Sequence, residues 1–170
     1  NVDLLLTQAY VNTYLEMNSQ SEFIEKNHSN GLEVKEAEIK EFRLNRYLYC
    51  LVGEQWGWTE KLSLSDEQWK EYAEADNLRT WVAYYKGSIA GYFELQTDPE
   101  FNVEIAFFGL APDFIGQGFG AYLLSCAIKS AWENCNARRV WVYPCTSDHP
   151  NALGNYQSCG LKIYHTEIVY

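Results

Sequence analysis

Gly109-Leu-Ala-Pro-Asp-Phe-Ile-Gly-Gln-Gly-Phe-Gly-Ala-Tyr-Leu-Leu124 is the stretch that orders the rest of the chain. Before it, residues 101–110 (FNVEIAFFGL) form a strand-like run that follows an Asp98-Pro99 turn. After it, residues 121–134 form an apolar helix of about four turns. Gly116, Gly118 and Gly120 alternate where the strand gives way to the helix. Without Cβ atoms they let the backbone turn tightly and approach a ligand. The N–H groups of the helix's first turn then point outward with the positive end of the dipole, which makes an anion site. A pyrophosphate is the natural guest; a glycine turn that merely lets helix and sheet pack closely is the plainer alternative.

Gly116-x-Gly118-x-x-Ala121 also satisfies the relaxed dinucleotide fingerprint. That fingerprint opens a first βαβ unit, with an acid about 20 residues on, at the end of the second strand. Here it lies deep in the chain, and the following strand, residues 138–145, contains no acid. The dinucleotide assignment is set aside.

Working outward, residues 79–86 and 88–96 read as strands joined at Gly87 in a tight hairpin. Residues 149–158 read as a short helix ended by Gly160, and residues 161–170 as a strand or strand pair. Toward the N-terminus, residues 3–17 alternate loosely and begin as a strand, and residues 18–31 are polar up to the Asn30-Gly31 turn signal. Leu32, Val34 and Ala37 suggest a strand leading into a helix over residues 39–52, which the Gln55-Trp-Gly-Trp58 run breaks. Ser65, with Gln68 three positions on, caps a further helix. No repeat, low-complexity tract or linker divides the 170 residues, so a single domain over 1–170 is expected. Helices, an antiparallel meander and then helix-strand-helix-strand predict an α/β (α+β) fold: a mixed, mostly antiparallel sheet of six or seven strands flanked by about four helices.

Composition narrows the function. Hydrophobic residues make up 47% and aromatics 16%, enough to build a core and to exclude wholesale disorder. Thirteen bases against 23 acids give a formal net charge of -10, which offers nucleic-acid phosphates no attracting field and favours cations, amines or basic peptides. No nucleic-acid or membrane partner is expected, since no stretch approaches 18 apolar residues and no signal segment opens the chain. Residues 1–98 hold 17 acids and 9 bases, so most of the acidity lies there, as a solvated surface or an amine-attracting rim. Cys50, Cys126, Cys135, Cys145 and Cys159 form no CxxC pair; they are expected to be buried or half-buried reduced thiols in a cytoplasmic protein. His28, His149 and His165 have no partnered carboxylate spacing, and no metal site is expected.

The central stretch resembles the GNAT superfamily of acyl-CoA-dependent N-acetyltransferases, whose hallmark is a strand, a Gln/Arg-x-x-Gly-x-Gly/Ala turn and a helix. The matching residues are Ile115-Gly-Gln-Gly-Phe-Gly120, preceded by Val103-Glu-Ile-Ala-Phe-Phe-Gly-Leu-Ala-Pro112. Downstream, Ala152-Leu-Gly-Asn-Tyr156-Gln-Ser-Cys-Gly160-Leu161 is similar to the family's closing Ala-x-x-x-Tyr-x-x-x-Gly-Phe signature, at the family's usual separation. Residues 78–165 carry the resemblance as an acyl-CoA-binding core. Residues 1–77 match only in element order and form the acceptor-side part.

The resemblance implies acetyl-CoA as co-substrate, no metal, and pyrophosphate contacts from Gly116, Gln117, Gly118, Phe119, Gly120 and Ala121. The pantetheine arm would pair with backbone near Phe108, Gly109 and Leu110 like an added strand. Glu104 matches the position of a catalytic glutamate in some members and would serve as general base, because a free Lys-type amine (pKa about 10.4) is protonated at neutral pH. Tyr156 matches a tyrosine beside the cofactor sulfur and would protonate the departing thiolate. Departures are Ile115 in place of Gln or Arg, His149 in place of the usual Asn, for which Asn151 or Asn155 would substitute, and Leu161 in place of Phe. In this fold the N-terminal helices wall the acceptor, which singles out Arg46 and Tyr49, one helical turn apart, together with Trp56 and Trp58; a buried Arg46 would suit an acceptor carboxylate. The expected reaction is direct transfer of an acetyl group to a primary amine in a ternary complex, the amine small or on a protein. A non-catalytic acyl-CoA-binding module and an acyl-CoA-processing domain acting on a carrier thiol are the alternatives. The many aromatics leave room for a homodimer.

Overall fold

The computed structural model describes residues 10–143 and 151–169. Seven strands, β1 (Tyr10–Met17), β2 (Leu32–Glu36), β3 (Leu78–Tyr85), β4 (Ser88–Thr97), β5 (Asn102–Leu110), β6 (Arg139–Val142) and β7 (Lys162–Val169), form one sheet in the order β2-β3-β4-β5-β6-β1-β7. Four helices, α1 (Phe42–Gly53), α2 (Asp66–Ala73), α3 (Gly120–Asn134) and α4 (Ala152–Ser158), flank it. This is the mixed sheet with four helices that the element order predicts. Only β5 and β6 run parallel, because α3 intervenes between them as a crossover. The last segment is one strand rather than a pair.

Sequence patterning places each helix. α3 buries Leu123, Leu124, Ala127, Ile128 and Ala131, the spacing of an apolar stripe facing a sheet. It covers Leu15, Met17, Phe93, Leu95, Val103, Ile105, Val140 and Val142, all buried on one sheet face. The capping box expected at α2 is present: Gln68 N–H donates to Ser65 Oγ (3.2 Å), and Ser65 N–H donates to Gln68 Oε1 (2.9 Å). α1 covers the other sheet face through Leu48 and Val52, packed on Val82 and Tyr92. Its buried stripe runs Asn45, Leu48, Tyr49, Val52, and Arg46 falls beside it.

β1 has the least expected place. It pairs antiparallel with both β6 and β7, so the first strand in sequence separates two of the last. Leu15 and Met17 are fully buried there under α3. Residues 18–31 then cross the α3–α4 face as a strap to reach β2. Ile24 N–H donates to Cys159 O (3.0 Å), Lys26 N–H to Ser125 Oγ (2.9 Å), and Asn30 Nδ2 to Gly118 O (3.2 Å). Cys126, Cys135 and Cys159 are free and at least half-buried, whereas Cys50 is exposed on the outer side of α1, contrary to expectation; Cys145 lies outside the described residues. Among the described residues no helix is long and apolar enough to cross a membrane.

β5 is held to β4 from Val103 to Leu110, with a bulge that leaves Ala106 unpaired. It pairs with β6 only from Asn102 to Ile105. Beyond Ile105 no described residue of β6 pairs with it, and the two strands part. Gly91 allows the β4–β5 contact: a Cβ there would lie 2.5 Å from Gly109 O, backbone against backbone. Gly91→Ala should therefore lower unfolding free energy by about 2 kcal/mol in urea melts. Gly154→Ala, in α4 with nothing within 4 Å of its Cβ, should leave it unchanged or slightly raised.

Candidate active site

Where β5 parts from β6 the chain makes a short 3-10 turn, Pro112–Phe114, and then the glycine turn. Gly116 and Gly118 adopt φ of 84° and 83°, left-handed conformations that other residues enter only at a cost. α3 starts at Gly120 with no side-chain cap at Phe119, so its first-turn amides have no side-chain partner from the capping position. Asn155 Nδ2 donates to Gly120 O (3.2 Å), tying α4 to this helix start.

A cavity of about 630 Å³ runs along these elements. Its floor is Gly116, Gly118, Phe119, Gly120 and Ala121; its sides are Phe108, Gly109 and Leu110 from β5, and Asn151, Asn155 and Tyr156 from α4. Trp56 and Trp58 close one end. Thirteen residues singled out from the sequence thus meet around one space. Tyr156 is 4% exposed, its ring 6.2 Å from that of Phe108. Gln117 does not line the cavity; its side chain turns back and donates to Asp113 O (2.9 Å). His149 lies outside the described residues.

The acceptor-side expectations divide. Arg46 is a correction: it ion-pairs with Asp66 at the surface, lies over the Phe42 ring and does not line the cavity. The cause is the phase of α1, whose buried stripe is centred one position from the row that holds Arg46. Tyr49 is 1% exposed and is a structural member of an aromatic cluster, 5.4 Å from Phe107, 5.6 Å from Trp58 and 5.6 Å from Trp69. Its hydroxyl accepts from Lys61 N–H (3.2 Å). Trp58, which is 5.2 Å from Phe107, belongs both to this cluster and to the cavity wall.

Glu104 does not line the cavity itself. It lies half-buried on β5, opposite Trp141 of β6, in the last paired stretch before the strands part. Burial raises its carboxyl pKa, and the charge of Lys61 partly offsets that. Beside it is a polar core that sequence reasoning missed. Glu94 of β4 is 1% exposed and accepts from Asn45 Nδ2 (2.8 Å) and from the Tyr72 hydroxyl (2.7 Å). Asn45 Nδ2 also reaches Thr80 Oγ1 (2.8 Å). Burial pushes Glu94 up, while Asn45 and Tyr72 pull it back; burial and the neighbouring Glu94 push the Tyr72 phenol well above its ordinary range. A signal for Glu94 was present, an acid inside the apolar run Ala90 to Leu95 of a central strand. Gln55 was missed too: its Nε2 donates to Leu110 O (3.3 Å) and holds the α1–α2 connection against the end of β5. Among the described residues no group of three His, Cys, Asp or Glu is placed to hold a metal ion.

Among curated proteins none matches this sequence. Solved structures do. A GCN5-related N-acetyltransferase from Sphaerobacter thermophilus matches with a TM-score of 0.70 at 13% identity, over 98% of this chain and 54% of that one. Another from Kribbella flavida matches at 0.66 and 13%, over 96% and 59%. An IAA acetyltransferase from Bacillus cereus matches at 0.60 and 23%, over 79% of each chain. These likenesses show the fold, and this chain spans between half and six-tenths of the length of the first two. The sequence model of the acetyltransferase (GNAT) family matches residues 40–161. That span takes in α1, α2, the glycine turn and α4, and the chain belongs to the acetyltransferase (GNAT) family.

Proposed function

We propose that this chain transfers an acetyl group from acetyl-CoA to a primary amine by direct attack in a ternary complex. The observation that carries this is the continuity of the cavity. Its one lining takes in an uncapped helix start beside two left-handed glycines, the end of β5 that no described residue of β6 pairs with, and Tyr156 and Trp58. Family members generally use acetyl-CoA, and the dimensions and chemistry here suit it: an anion cradle at one end and unpaired strand backbone in the middle.

In this scheme the backbone amides of Gly118 to Ala121 bind the pyrophosphate. Ile115 adds no polar side chain to that contact, so the cradle is made of backbone. Phe108 to Leu110 offer β-type hydrogen bonds to the pantetheine amides, and an N–H there stabilises the thioester oxygen as charge develops on it. Asn151 and Asn155 flank the arm from α4. Glu104 takes the proton of the attacking amine, directly or through a water, and the Tyr156 hydroxyl gives a proton to the departing thiolate. The acceptor side, residues 1–77 with Trp56 and Trp58, receives the amine, small or protein-borne. The ring faces there, with the negative charge of the chain, favour a cationic acceptor. With Arg46 at the surface, no described residue on this side speaks for an acceptor carboxylate.

Calorimetric titration should show binding of acetyl-CoA and of CoA, with none of NAD; absence of acetyl-CoA binding overturns the proposal. Gly118→Ala should weaken that binding about tenfold, since the left-handed φ costs roughly 1–2 kcal/mol for a residue with a Cβ and the new methyl approaches Asn30 Nδ2. A base must be ionised, so kcat/KM should fall as pH drops through the Glu104 pKa, raised above the free carboxylate value of about 4.3. Glu104→Gln should flatten that limb and lower the rate about 100-fold or more. Tyr156→Phe should lower kcat about 100-fold while leaving the heat of acetyl-CoA binding in place.

A further inference from the structure

Lys61 lies on the connection between α1 and α2, held by its backbone N–H donating to the Tyr49 hydroxyl (3.2 Å). Its ammonium sits 3.7 Å from the centroid of the Tyr72 ring and 5.7 Å from that of Phe107. Among the described residues it makes no ion pair within 4.0 Å, so ring faces are its closest partners. Behind the Tyr72 ring, the Tyr72 hydroxyl is bonded to the buried Glu94. The charge of Lys61 also acts on the Glu104 carboxyl. A half-buried ammonium over an aromatic face, with carboxylates behind it, occupies the kind of cage that recognises alkylammonium groups.

The cage adjoins the catalytic space. Phe107 and Phe108 pack on opposite faces of the sheet, and Trp58 bridges them: its ring lies 5.2 Å from that of Phe107, and it also lines the cavity. Glu104 stands in the last stretch of β5 that pairs with β6 among the described residues.

We propose that Lys61 is a built-in occupant of the acceptor-amine position and a site of self-acetylation. This rests on the transferase activity proposed above. Glu104 takes a proton from the ammonium, and Nζ attacks the thioester carbonyl carbon. The N–C bond forms as the C–S bond breaks, and Tyr156 protonates the leaving thiolate; the nitrogen then gives up its second proton, which passes through solvent to restore that of Tyr156, and solvent removes the proton held by Glu104. The acetylated side chain is neutral, loses its attraction to the ring face and to the carboxylates, and leaves the cage to a free amine. Unmodified, Lys61 competes with that amine.

The test uses the full chain incubated with acetyl-CoA and no added amine, followed by peptide mass mapping. Lys61 should gain one acetyl group about tenfold faster or more than the exposed Lys35 and Lys86, which report ordinary chemical acetylation. A second variant, Lys61→Ala, removes the four-carbon stem and ammonium that n-butylamine restores. With n-butylamine as probe it should release CoA thiol about tenfold faster than the unmodified wild type at the same amine concentration. Marking of Lys61 no faster than Lys35 and Lys86 overturns self-acetylation, and an unchanged n-butylamine rate overturns the occupancy. Calorimetry on the same samples separates the two levels: with acetyl-CoA binding intact, either failure belongs to Lys61 alone, whereas lost binding removes the transferase activity beneath it.

Discussion

The brevity of the β5–β6 pairing governs the rest of the molecule. Parallel neighbours normally satisfy one another's backbone groups along their length, and among the described residues they do so here only from Asn102 to Ile105. Past that point β5 remains rigid because β4 holds its other edge up to Leu110, with Gly91 and Gly109 in close backbone contact. An edge that is rigid and, among the described residues, unpaired is rare inside a sheet, since unpaired backbone invites partners. The bulge at Ala106 falls at the parting, where it turns the outer half of β5 away from the line of β6. The glycine turn and α3 follow directly from the end of this freed strand, so the cradle and the open edge are positioned by the same backbone.

β6 is only four residues long among the described residues, and β1 steadies it from the other side. With Leu15 and Met17 fully buried under α3, β1 is part of the core and not an accessory strand. The strap that leaves it is bonded in turn to Cys159 at the end of α4, to Ser125 in α3 and to Gly118 in the glycine turn. Three elements that line or border the cavity are thereby tied to one segment. An Asn30 side chain on a Gly118 carbonyl fixes that peptide's orientation, and its N–H side is then aimed by default.

Local patterns made the glycine turn, α3, the β3–β4 hairpin and the α2 capping box legible, because each is specified by residues within a few positions of one another. The order of strands around β1 was not legible: pairing between residues more than 100 positions apart leaves no periodic mark. Periodicity in α1 gave the correct existence of an apolar face but not its centre. The spacing of Arg46 and Tyr49 did not reveal that the buried stripe also runs through Asn45 and Leu48, and burial of Asn45 against Thr80 and Glu94 turns Arg46 outward. Lys61 carried no signal at all, being a polar residue in a polar connection whose significance arises only from the rings that fold around it.

Glu94 and Glu104 lie near one cation, yet the surroundings of the two acids differ in a way that assigns them different work. Glu94 is fully buried, and Asn45 and Tyr72 each donate to one of its oxygens. Both of its oxygens are already engaged inside the core, and the group is out of reach of solvent. No hydrogen bond to the Glu104 carboxylate is present among the described residues; it is half-buried, raised by desolvation, and close to where the strands part. A proton acceptor needs an uncommitted lone pair within reach of its donor as well as a suitable pKa. Under the proposed reaction Glu104 alone meets both needs. Glu94 instead holds the Tyr72 hydroxyl as a hydrogen-bond donor within the core. The charge of Lys61 bears on both carboxyls, and under the proposed reaction removal of a proton falls to Glu104.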